Sequence, residues 1–164
     1  MGKTIMSVKN GVMGLCAGAI LVLSSTTYAA QICLPITGKI STISINPVNQ
    51  HGVTKVRLGG RPFSLSTVGT ITSSDGAGNT YLDHHMMLNL DNRIFTKNDH
   101  GVVMGSGDGC SLPVVETINV VGGTGIFTGV TGSGQATGTI NLCTARNEFT
   151  LSGSLCFTRA PNLP

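Results

Sequence analysis

Hydrophobic positions in this chain alternate with polar ones over most of its length after residue 30. In 81–90 the even positions Leu82, His84, Met86, Leu88 and Leu90 form the mainly apolar set, with Asp83, His85 and Asn89 between them. In 148–157 the apolar set is odd: Phe149, Leu151, Gly153, Leu155 and Phe157. In 135–143 it is Ala136, Gly138, Ile140 and Leu142. A period of two places successive side chains on opposite faces of a strand, so each segment has one buried face. The pattern predicts strands over 36–45, 53–58, 62–72, 81–90, 93–96, 102–105, 113–121, 135–143 and 148–157. Turn signals separate them: Asn46-Pro47, Gly59-Gly60, Asp75 to Asn79, Asp91-Asn92, Asn98 to Gly101 and Gly107 to Gly109. The expectation is an all-β domain, an antiparallel sandwich or a closed barrel.

The first thirty residues follow another pattern. Lys3 and Lys9 precede an uncharged apolar run from Val12 to Leu23, and Thr27-Tyr28-Ala29 resembles a small-residue cleavage site. This predicts a secretory signal peptide over 1–30 and one β-domain over 31–164, in a secreted or periplasmic protein. Lys3 and Lys9 account for part of the formal charge of +3; the eight bases and seven acids that remain after residue 30 leave +1. No basic stripe results, so nucleic acid is not an expected partner. No later segment is apolar for long enough to span a membrane as a helix, and a chain without Trp offers little for the aromatic girdles of an outer-membrane barrel.

Export gives the four later cysteines a compartment that permits disulfides. Cys33, Cys110, Cys143 and Cys156 lack a C-x-x-C pair and an adjacent His, which argues against zinc. A turn at 144–147 would place Cys156 roughly 26 Å along the last strand from Cys143, beyond the reach of a disulfide. Its complement, Cys33 with Cys110, falls with it, and two connectivities remain. The strands at 113–121 and 135–143 run antiparallel, which brings Cys110 and Cys143 to one end. A sheet that closes with an even strand number pairs the first strand with the last, and Cys33 then meets Cys156. The predicted bridges are Cys33–Cys156 and Cys110–Cys143.

The densest glycine signal is Val120 to Gly134, with six glycines between Gly122 and Gly134 around a single large aromatic, Phe127. The spacing lacks the third glycine of G-x-G-x-x-G, and no helix pattern follows, so a phosphate cradle is not indicated. The segment predicts a tight strand-to-strand corner built on Gly122, Gly123, Gly125 and Gly129 and pinned by Phe127. It resembles the V-x-G-G-T-G-x-F-x-G-A-x-G-x-G segment of the dirigent-protein and allene-oxide-cyclase superfamily, most closely its small secreted bacterial members, with Val130 where alanine is usual. The resemblance covers about 114–157 and implies a calycin-like, eight-stranded antiparallel β-barrel with an interior cavity, in relatives often a homo-oligomer such as a trimer. No catalytic residue of the plant enzymes aligns with this sequence, and none is carried over.

His84 shares its face with Leu82, Met86 and Leu88, and Glu116 shares one with Val114, Ile118 and Val120. A titratable group among apolar ones can bind a ligand or act as acid and base, or it can be a satisfied core residue. His84, Met86, Leu88 and Glu116 are the expected cavity residues, with His84 and Glu116 the candidate catalytic pair. His84 and His85 point to opposite faces and cannot readily share a metal, so no metal or other cofactor is expected. Asp83 and His85 are expected on a solvated face or an oligomer contact. Asn98-Asp99-His100 reads as turn chemistry alone. The leading functional expectation is binding of a small apolar or aromatic molecule inside the barrel. The alternatives are a cofactor-free cyclase or isomerase, and a filled barrel that serves as a scaffold for a dimer or trimer.

Overall fold

The computed structural model describes residues 30–163, so the leader expected over 1–30 lies outside the described residues except for Ala30. The chain forms nine strands: β1 (Ile32–Ser44), β2 (Asn49–Leu58), β3 (Arg61–Ser74), β4 (Asn79–Met87), β5 (Arg93–Thr96), β6 (Asp99–Val103), β7 (Ser111–Thr124), β8 (Thr131–Asn141) and β9 (Arg146–Phe157). The described residues contain no α-helix, only a single 3₁₀ turn at Gly125–Phe127. Every pairing is antiparallel, and β1 pairs with both β2 and β9. The sheet closes through β3–β4 and through the β4–β5–β7 and β4–β6–β7 contacts. β5 and β6 run in the same direction between β4 and β7 and act as one interrupted stave. The result is the expected eight-stranded antiparallel barrel, with one stave in two pieces.

Local chemistry sets the breaks. Gly59 and Gly60 both adopt positive φ, at 57° and 88°, which gives the two-residue hairpin turn that matches strand twist. The interruption between β5 and β6 is Lys97-Asn98, where Asn98 has a φ of 54° and its N–H donates to Asp83 Oδ1 at 3.0 Å. Asp83 is therefore a clamp on this break as well as a half-buried outer residue, while His85 is exposed and meets Phe95 edge-on. Two expected strands end early. β4 stops at Met87 because Asn89 Oδ1 accepts the N–H groups of Asp91 and Asn92, which leaves Leu90 exposed. β8 stops at Asn141, whose Oδ1 accepts from Cys143 and Thr144 and leaves Leu142 exposed.

The two ends of the barrel differ. At one end the Gly-rich corner folds inward. Phe127 is 1 % exposed and packs edge-to-face on Phe63, with ring centroids 6.4 Å apart. Val130, Phe157 and Leu58 are buried with them and seal this end. Gly123 permits the corner, since a Cβ there would come within 2.8 Å of Phe127 and 2.6 Å of backbone oxygens. Cys33–Cys156 bridges register partners on β1 and β9 at the same end. Cys110–Cys143 ties the β6–β7 and β8–β9 connections at the other end. Both bridges match the predicted connectivity and fit an oxidising compartment.

Candidate functional site

Between the sealed end and the open one, the barrel interior changes from apolar to polar. Ile36, Met86, Ile94, Ile118 and Leu151 fill the middle and leave only about 20 Å³ of free space among them. At the open end, framed by the connections 45–48, 75–78, 104–110 and 142–145, a cavity of about 350 Å³ remains. Leu82, Val103, Val114, Ile140 and Phe149 supply apolar wall, and Glu116 and Asn147 are its buried polar members.

Beside this wall lies a buried cluster. His84 on β4, Asp99 on β6 and Glu116 on β7 are adjacent across three staves, and all face inward. His84 Nδ1 lies 2.7 Å from Asp99 Oδ2 and 3.5 Å from Glu116 Oε1. Thr96 joins the network from β5: its hydroxyl accepts the His84 backbone N–H at 2.7 Å and donates to Asp99 Oδ2. The other Asp99 oxygen accepts the Asn119 N–H at 2.7 Å. Gly69 makes room for the ring, since a Cβ there would stand 3.0 Å from His84 Cδ2 and 2.8 Å from Gln50 Cγ.

The electrostatics follow from burial and pairing. Burial disfavours the His84 imidazolium, but the Asp99 hydrogen bond and the Glu116 and Asp99 charges outweigh it, and the His84 pKa is raised. Burial raises the Glu116 pKa; the nearby imidazole pulls it down and the Asp99 charge adds to the rise. Glu116 Oε1 has no hydrogen-bond partner. Asp99 thus holds His84 through Nδ1, and the same nitrogen faces an unpaired carboxyl oxygen of Glu116 on the cavity wall.

The ligating atoms of His84, Asp99 and Glu116 lie within 4.8 Å of one another, close enough to surround a cation. Both Asp99 oxygens and His84 Nδ1 are already engaged in hydrogen bonds, so the donor set fits a hydrogen-bonded His–Asp pair with Glu116 beside it better than a metal centre.

A second polar group marks the same wall. Asn147 Nδ2 donates to Thr42 Oγ1, Ser44 Oγ and Gln50 Oε1, each at 3.2 Å. Thr42 Oγ1 in turn donates to Gln50 Oε1 at 2.7 Å. Asn147 Oδ1 is buried without a partner.

Of the residues expected to line the cavity, Glu116 does so, and His84 stands behind it, in contact through Oε1. Met86 and Leu88 do not; Met86 belongs to the filled middle of the barrel and Leu88 packs against the core beyond the end of β4. Asp99 corrects the reading of Asn98-Asp99-His100 as turn chemistry: only Asn98 turns, and Asp99 is fully buried because three donors satisfy it. The signal for Asn147 was present in the alternation, which places 147 on the same face as Phe149 and Leu151. The signal for Asp99 was not, because the break at Lys97-Asn98 reverses the parity of the stave. No family model, curated protein or solved structure matches this chain.

Proposed function

We propose that this protein binds a small, largely apolar molecule non-covalently in the cavity at the open end of its barrel. The observation that carries this reading is the cavity itself. Its volume of about 350 Å³ falls within the range of small-molecule sites, and its wall is mostly apolar with a few buried polar groups. The same cavity favours this reading over a filled scaffold. Export to the periplasm or beyond fits the leader-like residues 1–30 and the two disulfides. The likeness of the Val120–Gly134 corner to dirigent and allene-oxide-cyclase barrels belongs to the same proposal. Native mass spectrometry of the mature protein from its own host tests it. A co-purifying mass adduct that Val114→Phe abolishes is the expected result. Protein that carries no adduct and takes up no apolar probe counts against it.

A second reading, a cofactor-free cyclase or isomerase, is favoured by one specific observation. Glu116 lines the cavity with its Oε1 3.5 Å from His84 Nδ1, so a carboxyl that could take or give a proton stands on the wall beside a buried imidazole whose charge would steady its ionised form. Under this reading Glu116→Gln keeps ligand affinity and loses turnover.

A further inference from the structure

Charge is segregated on the outside of this barrel. Four bases, Lys39, Lys55, Arg57 and Arg61, precede the first acid after residue 30, which is Asp75. Alternation turns Lys39 outward from β1, and Lys55 and Arg57 outward from β2. The register sets Lys39 directly opposite Lys55, and Arg57 stands one outward position further along β2. Arg146 on β9 faces the same wall, level with Ile43 and His51. The spacing of these bases in the chain shows no stripe; the strand register makes one. Like charges directly opposite on neighbouring strands repel each other. Neither lysine is ion-paired with any described residue, and Glu148, the acid that shares this wall, already accepts the Ser41 hydroxyl at 2.6 Å.

Two open depressions in the wall meet at the lysine pair. Lys39 and Lys55 border both; Arg57 and Thr37 lie in one, of about 620 Å³, and Arg146, Ile43 and Val53 in the other, of about 430 Å³. Together they extend along six residues of strand, about 20 Å. A concave surface lined by one sign of charge focuses its field on an incoming anion.

We propose that the β1–β2–β9 wall binds a linear acidic polysaccharide, laid along the strands with its carboxylates across Lys39, Lys55, Arg57 and Arg146. The length of the two joined depressions suits a chain better than a single anion. Thr37 offers a hydroxyl to the sugar hydroxyls, and the exposed Ile43 and Val53 offer apolar surface to the C–H faces of the rings. No exposed Phe or Tyr lines either depression, so nucleobases find no such platform for stacking. A bilayer cannot follow a concave wall, and this one carries no protruding apolar ridge. The exposed acids Asp75, Asp91 and Asp108 sit in connections at the two ends of the barrel, so a second copy offers no acidic wall to match. The site lies outside the barrel and stands apart from the cavity reading.

Calorimetric titration of the disulfide-bonded protein at low salt tests the proposal, with a galacturonate octamer, a neutral maltooctaose, a thymidylate octamer and vesicles containing phosphatidylglycerol. The galacturonate octamer is expected to bind most tightly, and its affinity to fall with salt. Lys55→Gln is expected to weaken it about fivefold and to lower the slope of log affinity against log salt by about one. Lys97→Gln removes one charge from another part of the barrel and is expected to change little. Equal weakening by both variants overturns the site in favour of diffuse attraction by net charge. Equal or tighter binding of thymidylate or of the vesicles overturns the polysaccharide assignment, and equal binding of maltooctaose overturns the role of charge. Absence of binding by the galacturonate octamer overturns the proposal and leaves the cavity reading standing. Excess 4-propylphenol, a small apolar probe for the cavity, is expected to leave the octamer affinity unchanged; competition overturns the outer-wall placement. In the unsubstituted protein, the backbone amide resonances of Lys39, Lys55 and Arg57 are expected to shift with the octamer and that of Lys97 is not. Shifts confined to other walls overturn the site even if a variant fails to fold.

Discussion

Thr96 and Asp99 both point into the barrel, although they are three residues apart on one interrupted stave. In an unbroken strand they would face opposite sides. The Lys97-Asn98 break resets the alternation and brings Asp99 to His84 instead of to solvent. Asp99→Ala leaves a buried imidazole without its partner, and a loss of about 3–5 kcal/mol is expected from the urea midpoint of the oxidised protein. Asp99→Asn should cost less and lower the His84 pKa, followed by NMR titration. A His84 titration that does not move would refute the pairing.

Stability should fall as pH rises above the mildly acidic range. Burial keeps the Glu116 proton on in the folded chain where the unfolded chain, near 4.5, has released it. That contribution is complete below the unfolded value and is lost as pH climbs through the folded one. His84 has the same sign: its folded pKa lies above 6.5, so its contribution is complete below 6.5 and is lost as pH rises through the folded value. Asp75 and Asp108 act oppositely, since backbone and side-chain donors hold them below 3.8 and their contribution disappears as pH falls through their folded values. Glu116→Gln should flatten the part of the decline that starts above 4.5. Denaturation midpoints that trace the same pH profile in both proteins would rule this out.

How much of this was legible in the sequence depended on local parity. Leu82, His84 and Met86 declare their face through plain alternation, as do Val114, Glu116 and Ile118, and both sets point inward. The Cys33–Cys156 pairing followed from closure with an even stave number, and the closed barrel itself was what the Val120–Gly134 resemblance implied. Asp99 was hidden because one left-handed residue, Asn98, reverses which positions face in, and nothing in composition marks a break of that length. The depth of the cavity was hidden for another reason. Alternation says which face a residue occupies but not its height along the barrel axis, and height separates Met86 in the filled middle from Glu116 at the cavity.

The two disulfides should differ in worth. Cys33–Cys156 closes a separation of 123 residues and Cys110–Cys143 one of 33. Loop-closure entropy assigns about 5 and about 4 kcal/mol to loops of these sizes. The shorter loop is nested within the longer, so the remaining bridge already restrains part of the chain in each single-bridge variant. The Cys33→Ser, Cys156→Ser pair is expected to lower the thermal midpoint more than the Cys110→Ser, Cys143→Ser pair. The reverse order would show that the barrel seam is held by its strand pairing and not by the bridge.

The Gly-rich corner and the cavity occupy opposite ends of the barrel, and this separation allows stability and binding to be moved independently. Phe127 is buried against Phe63 at the sealed end, and neither ring lines the cavity. Phe127→Ala removes a ring from a packed site and is expected to cost about 3–5 kcal/mol. The affinity of the folded variant for 4-propylphenol should stay within about twofold of the original, because Phe127 is not among the residues that line the cavity. Val114→Phe is the converse change. It places a ring in the free space beside Glu116, where there is room to receive it, and should cost about 1 kcal/mol or less. It should weaken 4-propylphenol by about tenfold or more, since ring and ligand compete for one volume. Calorimetric titration and urea denaturation of both variants read the two effects separately. If Phe127→Ala weakens the phenol as much as Val114→Phe does, the ligand is not held at the open end.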